Sequence, residues 1–99
     1  CDAIRDRTRV VAISHVQYAS GHRADLRAIA DTIHRVGGIL CVDGIQSVGA
    51  MPVDVQALGI DALAADGHKW LLAPEGCAIF YCHEDLSPQL HPPIVGWMN

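Results

Sequence analysis

The chain has 99 residues, of which 51% are hydrophobic, and its formal net charge is −4. This length allows at most one domain, and a mildly acidic chain whose densest basic cluster is Arg5, Arg7 and Arg9 is not expected to bind nucleic acid. No apolar run approaches a membrane span, and so much apolar material in a short chain that begins at Cys1 indicates a fragment of a larger buried assembly.

The first half of the chain predicts a strand, a helix and a second strand. Residues 10–16, VVAISHV, form an apolar, β-branched run, and a loop follows them. Residues 23–36, RADLRAIADTIHRV, carry apolar side chains at helical spacing, and Gly37-Gly38 ends the helix. Residues 39–42, ILCV, predict a strand parallel to the first, because a helix connects the two.

The second half predicts three more elements. Residues 53–59 indicate a short helix capped by Asp54, residues 61–66 a third strand and residues 77–82 a fourth. The connection between the last two strands is too short for a crossover helix, so they pair antiparallel or occupy different places in the sheet. Together these elements predict an α/β fold with a mainly parallel sheet and flanking helices.

The cysteines and histidines give no sign of a metal site. The chain has four cysteines, Cys1, Cys41, Cys77 and Cys82, with no Cys-x-x-Cys pair and no ligand spacing to any histidine. A disulfide framework is not indicated either. We expect reduced, mostly buried thiols in a cytoplasmic protein.

Polar side chains follow three of the predicted strands. Ser14 and His15 end the first strand, Asp43 ends the second, and residues 66–69, DGHK, end the third. In open α/β sheets, ligands bind beyond the carboxyl ends of parallel strands, so these groups are expected to converge on one edge. Lys69 is the only lysine of the chain.

A lysine and an aspartate at such an edge suit one kind of cofactor chemistry. A neutral lysine amine can attack the aldehyde of pyridoxal phosphate, and a carboxylate opposite the pyridine nitrogen makes the ring an electron sink. Asp43 stands at a strand end, where such a hydrogen bond could be held. Gln46 lies on the same face as Asp43 if the chain turns helically after the strand.

The run from Val42 to Tyr81 resembles the core of the class V aminotransferase family of fold-type I pyridoxal-phosphate enzymes. This family includes cysteine desulfurases, selenocysteine lyases, kynureninases and isopenicillin N epimerase-like proteins. The matching pattern is V-D-x-x-Q-S at residues 42–47, G-H-K at residues 67–69 and a P-x-G turn at residues 74–76. The upstream SHVQYASG also resembles a family loop, so the likeness covers nearly the whole chain.

The resemblance implies roles for individual residues. Lys69 would form the Schiff base with the cofactor and act as the proton shuttle at the substrate α-carbon. Asp43 would pair with the pyridine nitrogen, Gln46 would bond the phenolate oxygen, and His68 would contact the phosphate. Two further residues, Tyr18 and His15, are candidates for cofactor contact. For Tyr18 the alternative is a cover over the pocket, and for His15 it is a structural role.

Two positions depart from the pattern of many desulfurases. Tyr18 stands where these enzymes carry asparagine, and Asp66 stands where they carry a serine that bonds the phosphate. A carboxylate facing a phosphate is unfavourable unless it points away or meets a cation. Asp66 therefore indicates a branch of the family in which the phosphate is held differently.

As a whole, residues 1–99 resemble a fragment of the large, cofactor-binding domain of the aspartate aminotransferase-like fold. The resemblance implies an enzyme that acts at the α-carbon of an amino acid, a homodimeric full-length parent, and a partner contact near Gly96-Trp97. Trp70 would pack in the core or contact the other subunit. The isolated chain is expected to be inactive.

Two other interpretations stay open at this point. The chain could be an inactive fragment or a degenerate homologue that keeps the core without the chemistry. It could also be a doubly wound nucleotide-binding domain, which would need a glycine-rich turn after the first strand.

Overall fold

A four-stranded sheet with one α-helix against it organises the chain in a computed structural model, which describes residues 2–94. The elements in chain order are β1 (Val10–Ser14), α1 (Leu26–Arg35), β2 (Ile39–Asp43), β3 (Ala62–Asp66), β4 (Ala78–Cys82) and a short 3-10 helix (Ser87–Gln89).

The sheet has the strand order β1-β2-β3-β4 and is mainly parallel. β1 pairs with β2 and β2 with β3 in parallel, whereas β4 runs antiparallel to β3. This confirms the predicted α/β class and the parallel first pair. The last two strands pair antiparallel, which was one of the two arrangements left open for them. The connection from residue 67 to residue 77 is too short for the crossover helix that a parallel pair would need.

The core lies between α1 and one face of the sheet. Leu26, Ala30 and Ile33, which recur at helical spacing, are fully buried and pack on alternate residues of the central strands. The strand and loop residues of this core are Leu40, Val42, Ile60, Leu63 and Ala65.

The helix α1 begins three residues later than its sequence pattern predicts. Arg23 forms an isolated antiparallel bridge with Val16, so its backbone belongs to the preceding loop. Asp25 is the N-cap, and its carboxylate accepts a hydrogen bond of 3.1 Å from the Ala28 amide. Gly37, with φ of +72°, lies just beyond the C-terminal end, as predicted.

The predicted helix at residues 53–59 is wrong. The segment forms a single turn in which the Asp54 side chain accepts hydrogen bonds from the amides of Gln56 and Ala57. Gly59, with φ of +68°, and the amide of Ile60 then close the turn by bonding back to the carbonyls of Gln56 and Val55. The capping signals are real, but they lie so close together that no second turn forms.

The expectation of mostly buried thiols is also wrong for the described cysteines. Cys77 is exposed, Cys41 and Cys82 are partly buried, and all three are free. Cys82 ends β4, which is an edge strand, and Cys41 points to the sheet face opposite α1. Cys1 lies outside the described residues, as does the partner contact expected near Gly96-Trp97.

Several large apolar side chains are exposed, among them Trp70 at 55% and Leu72 at 90%. Trp70 therefore does not pack in the core that residues 2–94 form. Within residues 2–94, no helix is long and apolar enough to cross a membrane.

Asp61 ties the helix to the sheet at the edge where β3 begins. Its Oδ2 atom accepts a 2.7 Å hydrogen bond from the amide of Leu40 and lies 2.7 Å from Nε2 of His34 on α1. One carboxylate oxygen thus holds a β2 amide and a helix side chain together.

We predict that Asp61→Ala lowers the free energy of unfolding by about 1–3 kcal/mol, because the partly buried Leu40 amide loses its acceptor. Urea denaturation of the full-length protein expressed from its gene measures the loss. Asp31→Ala is the matched control, since Asp31 makes an exposed helix pair with Arg27 that contributes about 0.5 kcal/mol or less. Equal losses in the two variants would contradict the prediction.

Candidate functional site

The carboxyl ends of the three parallel strands bring polar side chains to one edge of the sheet, on the face opposite α1. Ser14 is in register with Asp43, and Asp43 is in register with Ala64. Because side chains alternate along a strand, Asp66, two residues beyond Ala64, points to the same face. The predicted convergence of strand ends therefore exists in the structure.

Asp43 is held by two hydrogen bonds. The hydroxyl of Ser14 donates to its Oδ2 at 3.2 Å, and the amide of Ile45 donates to its Oδ1 at 2.9 Å. The hydrogen bond between Ser14 and Asp43 was not predicted from the sequence. The sequence did contain a signal for this bond, because Ser14 is a polar residue at the end of one parallel strand and therefore lies beside the residue that ends the next strand.

The chain makes a single helical turn after Asp43, which was the condition for Gln46 to lie on the same face as Asp43. The amide of Val48 donates to the carbonyl of Gly44 at 2.9 Å, and the side chain of Ser47 is fully buried and bonds the same carbonyl. Gln46 is left partly exposed on the wall of a cavity.

Backbone hydrogen bonds hold both ends of the turn that carries Lys69. The amide of Gly67 donates to the carbonyl of Cys77 at 2.7 Å, and the amide of Ala73 donates to the carbonyl of Gly67 at 2.9 Å. Leu72, whose amide bonds the Lys69 carbonyl at 3.1 Å, has φ of +55°, a left-handed conformation that is uncommon for a residue with a side chain. Such conformations cluster at functional sites.

Gly49 joins the Gln46 turn to the Lys69 turn. A Cβ atom at this position would lie 2.7 Å from the carbonyl oxygen of Trp70, and its φ of +89° also favours glycine. The two turns therefore contact each other through backbone.

An open cavity of about 410 Å³ is lined by Tyr18, Gln46, Lys69, Trp70 and Leu72. This volume falls within the range of small-molecule sites, roughly 300–1,000 Å³. The Nζ atom of Lys69 lies 5.4 Å from the centroid of the Tyr18 ring, a distance at which an ammonium group is attracted to the face of the ring. Three of the predicted site residues, Tyr18, Gln46 and Lys69, thus share one cavity.

The loop that carries Tyr18 is closed at its base. The amide of Gln17 donates to the carbonyl of His22 at 2.9 Å, and the amide of Ala24 donates to the carbonyl of His15 at 2.9 Å. The loop therefore returns to its starting point and extends Tyr18, which is 85% exposed, toward Lys69.

His15 lies away from this cavity. Its side chain is buried, accepts a 3.3 Å hydrogen bond at Nε2 from the Arg23 guanidinium, and lines a separate cavity with Asp25 and Leu58. No described residue bonds its Nδ1 atom. Burial, followed by the charge of Arg23, lowers the pKa of His15. His15 directly follows Ser14, the last residue of β1, and the alternation of side chains along the chain directs the two to opposite faces of the sheet.

Asp66 and His68 form a pair beside Lys69. The Nδ1 atom of His68 lies 3.2 Å from Oδ2 of Asp66, and Oδ1 accepts a 2.9 Å hydrogen bond from the Gly67 amide. The hydrogen bond from His68 is the main cause that lowers the pKa of Asp66. The carboxylate therefore meets a potential cation, one of the two conditions under which it could stand near a phosphate. Among residues 2–94, no three side chains of the metal-binding types cluster.

Comparison with known proteins identifies the family. The family described as Aminotransferase class-V matches residues 1–97, nearly the whole chain. The chain belongs to this family.

Named relatives of the chain in the aminotransferase class-V family differ in chemistry. A probable cysteine desulfurase of Methanothermobacter thermautotrophicus is 40% identical over 96% of the chain, and the isopenicillin N epimerase of Amycolatopsis lactamdurans is 38% identical over 96%. The crystal structure of the cysteine desulfurase CsdA of Escherichia coli superposes with a TM-score of 0.88 at 31% identity over 97% of the chain. In all three cases the chain spans 24% of the relative's length.

Class V aminotransferases depend on pyridoxal 5′-phosphate, and the residues present fit that group. The cavity offers one primary amine, at Lys69, for an aldehyde, and the amide of Gln46 for an oxygen substituent. Asp43, at the neighbouring strand end, offers an oriented carboxylate for a ring nitrogen. His68 offers an imidazole for an anion.

The lowered pKa of His15 generates a prediction about acid stability. The unfolded chain takes up a proton at this residue at a higher pH than the folded protein, so the free energy of unfolding falls as the pH drops below 6.5. The fall stops once folded His15 is itself protonated.

We therefore expect His15→Gln, whose amide oxygen can still accept from Arg23, to reduce the slope of the free energy of unfolding between pH 7 and pH 5. Urea denaturation of the full-length protein at a series of pH values measures this slope. His22→Gln controls for the loss of an exposed imidazole. An unchanged slope in His15→Gln would show that His15 does not cause the acid loss.

Proposed function

We propose that the protein containing this chain is a pyridoxal-phosphate-dependent enzyme that acts at the α-carbon of an amino acid, with Lys69 as the covalent anchor of the cofactor. The reaction is an aminotransfer, a desulfuration or other lyase reaction, or an epimerisation. The observation that carries the proposal is the shared cavity of Lys69, Gln46 and Tyr18 at the carboxyl ends of parallel strands, beside an oriented Asp43.

When bound, the cofactor supplies an electron-accepting ring that stabilises negative charge at the substrate α-carbon. Asp43 would hold a proton at the pyridine nitrogen, and the hydrogen bonds from Ser14 and Ile45 keep its carboxylate oriented for that role. Gln46 would donate its amide N–H to the phenolate oxygen, and His68 would bind the phosphate.

Lys69 would also move the proton at the α-carbon, since its amine is a basic group on the cavity wall. The ring of Tyr18 stabilises a positive charge on Nζ and covers one side of the amine. The position of Tyr18 on the cavity wall beside Nζ supports its role as a cover over the pocket, and its contact with the cofactor stays a prediction.

The proposal extends to assembly and location. We propose a homodimer, and Trp70 and Leu72, which the described residues leave exposed on the cavity wall, are candidates for the contact with a second subunit. We also propose a cytoplasmic protein, which is supported by the free thiols of Cys41, Cys77 and Cys82.

Covalent attachment at Lys69 is directly testable in the full-length protein expressed from its gene. We expect that incubation with pyridoxal 5′-phosphate, followed by borohydride reduction and digestion, labels the peptide that contains Lys69. Lys69→Arg is the matched control, because arginine keeps the positive charge beside Tyr18 but does not form a stable bond with the aldehyde. Label on another peptide, or equal label in the control, would contradict the proposal.

Removal of the charge at Asp43 tests the reaction itself. We expect Asp43→Asn to lower turnover by about 100-fold or more while Lys69 is still labelled, because a neutral amide does not stabilise a protonated ring nitrogen. Turnover is measured with an amino-acid panel scored for sulfide, alanine, keto acid and racemised product. Asp31→Asn, on the exposed face of α1, is the control. A labelled wild-type protein with no turnover of any amino acid would favour the inactive homologue instead.

A further inference from the structure

Asp66 is the residue of the edge that the proposed function leaves without a role. Its carboxylate binds the Gly67 amide through Oδ1 and His68 Nδ1 through Oδ2, at 2.9 Å and 3.2 Å. About half of the Asp66 side chain and a third of the His68 side chain remain exposed, at 44% and 35%. Asp66 is the last residue of β3, and His68 lies two residues later, immediately before Lys69.

The carboxylate determines which ring nitrogen of His68 is available. A carboxylate only accepts hydrogen bonds, so the Nδ1 atom that faces it must carry the proton. The Nε2 atom is then the one presented to a ligand, since no described residue bonds it. A histidine whose second nitrogen is fixed by a carboxylate has a defined ring orientation.

The turn between the two residues has little freedom. A Cβ atom at Gly67 would lie 2.7 Å from the carbonyl oxygen of Cys77 and 2.8 Å from the Cβ atom of Ala73. The backbone amide and carbonyl of Gly67 are also both bonded. The pair is therefore held by the same turn that carries Lys69.

We propose that Asp66 is a positioning residue, which orients the His68 ring so that Nε2 faces the phosphate group of the cofactor. This inference rests on the proposed function. The negative charges of the Asp66 carboxylate and the phosphate repel each other, which opposes binding. Pairing with His68 offsets this repulsion, because an imidazole that donates to both the carboxylate and the phosphate carries a positive charge.

The test separates the phosphate from the rest of the cofactor. The dissociation constants of pyridoxine 5′-phosphate and of pyridoxine are measured for the full-length protein by isothermal titration calorimetry. Neither compound has an aldehyde, so covalent attachment to Lys69 does not contribute. We expect Asp66→Ala to weaken binding of the phosphate compound by about tenfold, the effect of losing one oriented, charge-assisted hydrogen bond, and to leave binding of pyridoxine unchanged.

Asp66→Asn is the rescue variant, because its amide oxygen still accepts from Nδ1 of His68. We expect it to bind the phosphate compound within about threefold of the wild-type protein. Asp85→Ala is the matched control, since Asp85 faces His83 at 3.7 Å in an exposed pair distant in sequence from this turn. If Asp66→Ala does not fold, Asp66→Val, whose side chain can neither accept from His68 nor bond the phosphate, is measured in the same way, with the same tenfold loss expected.

Three results would overturn the inference. Tighter binding of the phosphate compound by Asp66→Ala would mean that repulsion dominates. Equal weakening by Asp66→Ala and Asp66→Asn would mean that the charge, and not the orientation of His68, matters. Equal weakening for both compounds would mean a general structural role. Borohydride labelling of Lys69 in the wild-type protein shows separately whether the proposed function itself holds.

Discussion

Parallel pairing of three neighbouring strands is the constraint on which the rest of the molecule depends. It fixes Ser14 beside Asp43 and brings the residues after β3 to the same edge, so groups far apart in the chain become neighbours. The pairing is stabilised on one face by α1, whose buried Leu26 and Ile33 pack on the central strands. Residues 2–94 leave the opposite face uncovered at its carboxyl end, and there the polar groups collect.

Most of the fold was predictable from the sequence because its signals are local and strong. Apolar runs gave the four strands, and the spacing of Leu26, Ala30 and Ile33 gave the helix. One predicted helix boundary and one predicted helix were wrong, because local hydrogen bonds formed other structures there. The sequence pattern predicts that Arg23 is helical, but its backbone pairs with Val16 across a loop. The capping residues of the segment 53–59 lie so close together that they enclose only a single turn.

The site was less predictable, because the side on which a strand-end residue emerges depends on the register. Ser14 and His15 look equally suited to an edge site in the sequence, yet one bonds Asp43 and the other is buried against Arg23. The family pattern located Lys69 and Gln46 but carried no information on what Asp66 contacts. That contact depends on the turn around Gly67, whose conformation the sequence pattern does not specify.

Gly49 has a consequence for how a ligand would meet this surface. The lack of a side chain lets the backbone of its turn contact the carbonyl of Trp70, so the segments that carry Gln46 and Lys69 pack directly against each other. A molecule that touches both residues does not have to bring two independent loops together. The conformational freedom of these segments is lost during folding, so more of the contact energy is retained as affinity.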